Sequence, residues 1–337
     1  MPASFATDVP FRQTDWRVVR LEASHPNGST LTVAQFAPAL GCNLLSFSVD
    51  GSDYIVAGDL EPEPRLLGSP ILYPMPNRVR NGHMTFEGRT FAFEPNMGGH
   101  FIHGLVRDQT WEVDPPVADG DSASVTARIR FAPGTPIHTL FPIANTLELT
   151  WTVTPGALRM DWMVRNDDAT QRLPFGLAIH PYFRIIGPRE SVRITVPARK
   201  WMQAVELMPT GKLVDPSRAP ADLRRSTSLS HLHIDDVFWG MQPDKPALID
   251  YDSTGIRLTL SASELFTHAV VYTPEGKDFF CIENQSCSTD AHNLYAQGLE
   301  KAAHLQILEP GQSLEAWIEL RVGARTPSAA RPVVAAR

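Results

Sequence analysis

The chain is patterned at period two. Apolar and polar residues alternate over 31–36, 43–49, 124–131, 147–154 and 158–164, and again over 191–196, 256–261, 269–272, 279–282, 304–308 and 316–322. Alternation of this kind sends successive side chains to opposite faces and marks half-buried β-strands. Turn pairs punctuate the segments: Asn81-Gly82 and Glu87-Gly88 divide 78–93 into three short strands, and Pro155-Gly156 separates two longer ones. The spacing predicts an antiparallel meander. Helical periodicity is weak everywhere, and only 221–229 and 291–301 read as short helices, neither with an apolar stripe over three turns.

No low-complexity linker and no fixed-period repeat interrupts the pattern, so one β domain is expected over residues 1–324, followed by a mobile Pro-, Ala- and Arg-rich tail over 325–337. The 29 prolines and 22 glycines leave little room for long helices. Lys plus Arg is 30 against 37 Asp plus Glu, a net charge of −7 that argues against nucleic acid as the main partner. Cys42, Cys281 and Cys287 are odd in number and lack CxxC spacing, which fits buried thiols in a reducing compartment. Residues 1–16 carry charges and prolines without an apolar core, and no later run approaches the roughly 18 apolar residues of a membrane span, so a cytoplasmic protein is expected.

Four places hold groups that strands seldom need. In Tyr73-Pro-Met-Pro-Asn77-Arg78 two prolines forbid regular pairing and deliver an Asn-Arg pair to a strand entrance, where the guanidinium suits sugar hydroxyls or carboxylates, or a surface ion pair. Gly98-Gly-His100-Phe-Ile-His103-Gly104 sets two histidines among glycines that permit close backbone approach, and neither HExxH nor a cysteine pair makes it a metal site. Phe175-Gly-Leu-Ala-Ile-His180-Pro181 ends an apolar stretch in a histidine whose next residue stops the ladder, presenting a group that titrates near neutrality. Phe279-Phe-Cys-Ile-Glu283 ends another in a carboxylate that partial burial would tune as a base.

In this order and spacing the segments resemble the aldose 1-epimerase family, the galactose mutarotases, from about residue 30 to about residue 322. The family's Asn-Arg looks like Asn77-Arg78, its His-Gly like His103-Gly104, its His-x-Tyr-Phe like His180-Pro-Tyr-Phe183 and its late-strand glutamate like Glu283. A fifth element, the family's Asp-x-x-Phe, is similar to Asp235-Asp236-Val-Phe238, with Asp235 the better register and Asp236 the alternative; a turn capped by its own aspartates is the other reading of that pair. The resemblance implies an all-β fold, a large antiparallel β-sandwich of galactose mutarotase-like supersandwich type, with a sugar cleft on a concave sheet. It implies no metal and no organic cofactor, in keeping with the lack of a phosphate-cradling glycine motif. It implies a small-molecule sugar as partner, no nucleic acid, no membrane, and a monomer or homodimer.

The implied chemistry interconverts the α and β anomers of a free hexose of glucose or galactose type. A base takes the anomeric hydroxyl proton while an acid protonates the ring oxygen, the C1–C2 bond of the open aldehyde rotates, and closure reverses both transfers. By the resemblance Glu283 is the base and His180 the acid, on opposite sides of the anomeric centre, with Asn77, Arg78, His103 and Asp235 binding the sugar. Trp111, Phe101, Phe183 and Trp239 are available as an apolar sugar face or as core. Pro181, where galactose-processing members carry threonine, and the missing proline-rich stretch beyond Glu283 mark a divergent member. A hexose 6-phosphate epimerase of the same fold, with phosphate on Arg78, Arg80, Arg89 or Arg107, and a non-catalytic sugar-binding protein are the alternatives.

Overall fold

The ten-stranded sheet is where the alternation is clearest. Its long strands run in the spatial order Ser122–Phe131, Asn145–Thr154, Ala157–Asn166, Ser313–Ala324, Ile256–Ala262, Ala247–Tyr251 and Val192–Thr195, all neighbours antiparallel. In Ser122–Phe131 every second residue, from Ala123 to Phe131, is buried and the residues between face outward. A computed structural model describes residues 3–25, 27–58 and 66–325. Of the expected mobile tail only Arg325 falls within that range; residues 326–337 lie outside the described residues.

Two further sheets pack on the inner face of the first. One has five strands in chain order, Ser4–Pro10, Arg17–Ser24, Leu31–Ala37, Asn43–Val49 and Ser52–Asp53. The other has eight, with Met208–Val214, Lys200–Val205, Asp235–Trp239, His268–Tyr272 and Phe279–Gln285 side by side, and Ala178–Ile179, Ile71–Leu72 and Tyr182–Arg184 beyond. Phe36 of the five-stranded sheet stacks on Trp151 of the ten-stranded one at 5.4 Å, and Tyr54 meets Tyr251 at 5.6 Å. Tyr73 meets Phe131 edge-on at 5.7 Å, and its hydroxyl donates to Asn145 Oδ1 at 2.7 Å, so that this buried polar group is satisfied. Fully buried aromatics of this size cost about 3–5 kcal/mol each when cut to alanine. The result is the large antiparallel β-sandwich expected.

Of the two expected helices, the first is corrected and the second is present but divided. Residues 221–229 form turns and the short strand Thr227–Ser228, because the Asp222 carboxylate accepts the backbone N–H of Arg224 and competes with a helical turn. Residues 291–301 split into Ala291–Ala296 and Glu300–Ala303, interrupted by Gly298 at φ 76°. Among the described residues no helix is long and apolar enough to cross a membrane.

Candidate active site

A cleft of about 220 Å³ opens on the eight-stranded sheet and gathers Asn77, Arg78, His103, His180, Asp235 and Glu283. Five separate chain segments therefore meet at one place, each delivered by a local constraint. Asn77 sits at φ 58°, a left-handed conformation that asparagine tolerates, and its Oδ1 accepts both the Arg78 N–H at 2.8 Å and the Arg78 Nη1 at 3.1 Å. His103 is also left-handed, at φ 72°, with its N–H on the Asn77 carbonyl at 3.0 Å. The glycine that follows is required: a Cβ at Gly104 would lie 2.4 Å from the Tyr73 carbonyl oxygen, and φ there is 71°.

His180 and Glu283 touch. The imidazole Nε2 lies 3.3 Å from Glu283 Oε1, and both side chains are almost wholly buried. Glu283 Oε2 accepts from Gln285 Nε2 at 2.9 Å. Burial holds the Glu283 carboxyl well above the ordinary carboxylate range, the Asp235 charge adds to the rise, and the Gln285 donor and Arg78 oppose it. Burial also lowers His180 to about 4, with its own carbonyl opposing and Arg107 and Arg78 adding to the fall. His103 is pushed well below its usual value by burial, helped by His180, Arg107 and Arg78. Both shifts run the same way, favouring a protonated carboxyl beside a neutral imidazole. His180 is fixed from the other side by Tyr182, stacked at 4.6 Å and 11°, and by the edge of His103 at 5.0 Å.

Asp235 stands across the cleft, its Oδ2 3.6 Å from Arg78 Nη2. Burial raises its carboxyl and Arg78 opposes the rise. The pair 235–236 belongs to the strand Asp235–Trp239 and not to a turn, so the two carboxylates leave on opposite faces. Asp236 accepts the Trp201 indole N–H at 2.7 Å, and it is Asp235 that lines the cleft.

The four aromatics stand open to two readings, sugar face or core, and none of the four lines the cleft. Trp111 and Phe183 are core residues, Phe101 stacks on Phe93 at 4.8 Å, and Trp239 lies under Lys301 in a separate depression. The cleft is walled instead by Tyr182, Tyr272, Ile102 and Met97. Tyr182 stands inside the His-Pro-Tyr-Phe motif, whereas Tyr272 reaches the cleft as the register partner of Asp235, which no motif announces. Of the four arginines considered for a phosphate, only Arg78 lines the cleft. Arg80 pairs with Asp290 at 3.4 Å, Arg89 covers Phe91, and Arg107 pairs with Asp108 at 3.3 Å while still biasing the two histidines. Among the described residues no group of three or more His, Cys, Asp or Glu is arranged to hold a metal ion.

The fold is shared with solved structures of low identity. A galactose mutarotase-like protein from Clostridium acetobutylicum superposes with a TM-score of 0.82 at 19% identity, covering 96% of this chain and 98% of that one. A galactose 1-epimerase from Lactobacillus acidophilus NCFM gives 0.74 at 16% identity, covering 96% and 98%. An aldose epimerase homologue from C. elegans gives 0.72 at 18%, covering 92% and 100%. The sequence pattern of the family described as aldose 1-epimerase matches residues 20–321. Since that match runs from the second strand of the five-stranded sheet into the late strand at the centre of the ten-stranded one, the chain belongs to the aldose 1-epimerase family.

Proposed function

We propose that the protein is an aldose 1-epimerase acting on a free hexose of glucose or galactose type, with residues 1–324 as a single catalytic domain in the cytoplasm. The observation that carries this reading is the buried contact of Glu283 with His180, 3.3 Å apart, on the wall of a cleft that also holds Asn77, Arg78, His103 and Asp235 as polar groups and Tyr182, Tyr272, Ile102 and Met97 as apolar walls. Both reacting oxygens, O1 and O5, are bonded to C1, so an acid and a base standing side by side can serve them from one flank.

Glu283 takes the O1 proton as the C1–O5 bond breaks, and His180 gives its Nε2 proton to O5. The working form is therefore carboxylate with imidazolium, which carries the same number of protons as the neutral pair that burial favours. Sugar hydroxyls donating to Glu283 favour that form, because hydrogen bonds to a carboxylate stabilise its charge. Rotation about C1–C2 and closure on the other face return both protons. Arg78, Asn77 and His103 hold the ring oxygen and hydroxyls, and Asp235, kept in place by Arg78, takes further hydroxyls, so that C1 stays within reach of the pair. Acid–base transfers of this kind contribute about 10² to 10⁴ each in rate.

Polarimetry of freshly dissolved α-D-glucose and α-D-galactose, with and without the protein, tests the reading. Acceleration of either approach to equilibrium supports it. If both free sugars equilibrate at the spontaneous rate, the free-hexose reading is wrong, and the same assay on glucose 6-phosphate separates a phosphosugar epimerase from a silent binding protein.

A further inference from the structure

The working pair needs an imidazolium, and the surroundings of His180 are poor in groups that hold one. Burial opposes the charge, and Arg107 and Arg78 add to the opposition. His103, at 5.0 Å and 81°, is itself kept neutral by burial. Glu283 Oε1 lies 3.3 Å from Nε2 and leaves the other ring nitrogen unserved. A histidine is commonly oriented through that second nitrogen, by a carboxylate or a backbone carbonyl. Among the described residues Nδ1 is buried and meets no partner at hydrogen-bond geometry, its own carbonyl being the one acceptor that draws on the ring.

What covers the face of the imidazole is Tyr182, 4.6 Å from centroid to centroid and 11° from parallel. The face of an aromatic ring is the negative part of its quadrupole. A cation within about 6 Å of the centroid is drawn to it, most strongly where water is excluded. The phenol ring is also firmly anchored. The Tyr182 N–H donates to the Gly68 carbonyl at 2.9 Å, its carbonyl accepts from the Val56 N–H at 2.9 Å, and Phe279 meets its ring at 5.0 Å and 75°. In the ladder Tyr182 stands opposite Cys281, two residues before Glu283, and Pro181 fixes φ between the two stacked rings. Among the described residues the phenol oxygen makes no hydrogen bond, so the ring and not the hydroxyl is what His180 meets.

We propose that Tyr182 is the positioning residue of the acid: the negative face of its ring stabilises the His180 imidazolium over the neutral imidazole and keeps Nε2 turned to Glu283. Sugar hydroxyls favour the carboxylate half of the working pair, and Tyr182 favours the cationic half. The two effects together offset the preference of burial for the neutral pair. This inference rests on the epimerase reading for its kinetic consequence, while its effect on the titration of His180 stands apart from that reading.

Draining the negative face while keeping the outline of the ring tests it on the whole protein. Tyr182→Phe is the reference, and a trifluorinated phenylalanine placed at the same position is the probe. On the responding hexose kcat is expected to fall about fivefold from reference to probe, with KM within about twofold. A purely steric role gives equal kcat in the two, and that result overturns the proposal. So does a folded Tyr182→Phe protein without measurable turnover, which assigns the role to the hydroxyl. A wild type that accelerates no aldose overturns the epimerase reading instead. The titration of His180, followed by NMR of histidine-labelled protein around its midpoint of about 4, then decides the stack: a lower midpoint in the probe than in the reference is expected, and equal midpoints overturn it.

Discussion

Replacing Glu283 by glutamine separates chemistry from architecture. The side chain is 3% exposed and has two polar neighbours, His180 Nε2 at 3.3 Å and Gln285 Nε2 at 2.9 Å. A carboxamide of the same shape keeps its oxygen on the Gln285 donor and turns its NH2 to the imidazole, which is the hydrogen-bond pattern of the neutral carboxyl already favoured by burial. Stability should therefore change by no more than a hydrogen bond's net worth, about 0.5–1.5 kcal/mol. What disappears is the ability to accept the O1 proton, a contribution of about 10² to 10⁴ in rate. At 1.36 kcal/mol per decade that is about 3–5 kcal/mol of barrier, falling on kcat with KM nearly unchanged. Polarimetry at saturating sugar gives kcat, and a urea melt of the same preparation gives stability. Turnover within tenfold of wild type, in a folded variant, would show that Glu283 is not the base.

The two neighbouring aspartates should part company. Asp235→Asn is expected to lower kcat/KM on the responding hexose by tenfold or more, since it removes a charge-assisted acceptor for hydroxyls worth about 1.5–3 kcal/mol, whereas Asp236→Asn, which loses only part of its bond to Trp201, should leave kinetics unchanged. Gly104→Ala should destabilise by more than about 1 kcal/mol in a thermal melt and lower activity with it, because the new Cβ meets the Tyr73 carbonyl and displaces His103; an unchanged melt refutes the close approach. Stability should also fall with acid. His180, His268 and His292 are held at about 4, 3 and 4 by burial, below the unfolded value of 6.5, so the stability they contribute is present above pH 6.5 and lost as pH drops toward those values. Raised Glu283 works in the opposite sense above its unfolded 4.5 and offsets one of them. His292→Leu should therefore flatten the dependence of urea stability on pH between 6.5 and 4.5 by about 1.4 kcal/mol per unit; an unchanged slope refutes the buried neutral histidine.

Legibility followed burial on one face. Strands such as Asn145–Thr154, half-buried, alternate in the sequence and were readable from it. Phe279–Gln285 is buried at every position, so period two vanishes and the readable stretch stopped at Ile282, three residues short of the end. Ser4–Pro10 is exposed at nearly every position and failed for the opposite reason. Asp235–Trp239 has no alternation because Asp235 faces the cleft while Asp236 is satisfied by a tryptophan from the next strand. At the site, the residues carried by short motifs, from Asn77 and Arg78 to Glu283, come together in one cleft. Tyr272 was invisible, since its place depends on which strands lie side by side and in what register, and one chain's sequence does not state that.

The position of Ser313–Ala324 bears on how the protein is made. This late strand lies between Ala157–Asn166 and Ile256–Ala262, and within the ten-stranded sheet it is the sole ladder joining the two groups of strands on either side. A ribosome delivering the chain from the N-terminus therefore produces two half-sheets with open inner edges long before the segment that seals them emerges. Each open edge is a template for pairing with another nascent chain. Synthesis rate, chaperone supply and the fate of chains stalled before residue 313 should thus govern yield in the cell more than the stability of the finished protein does.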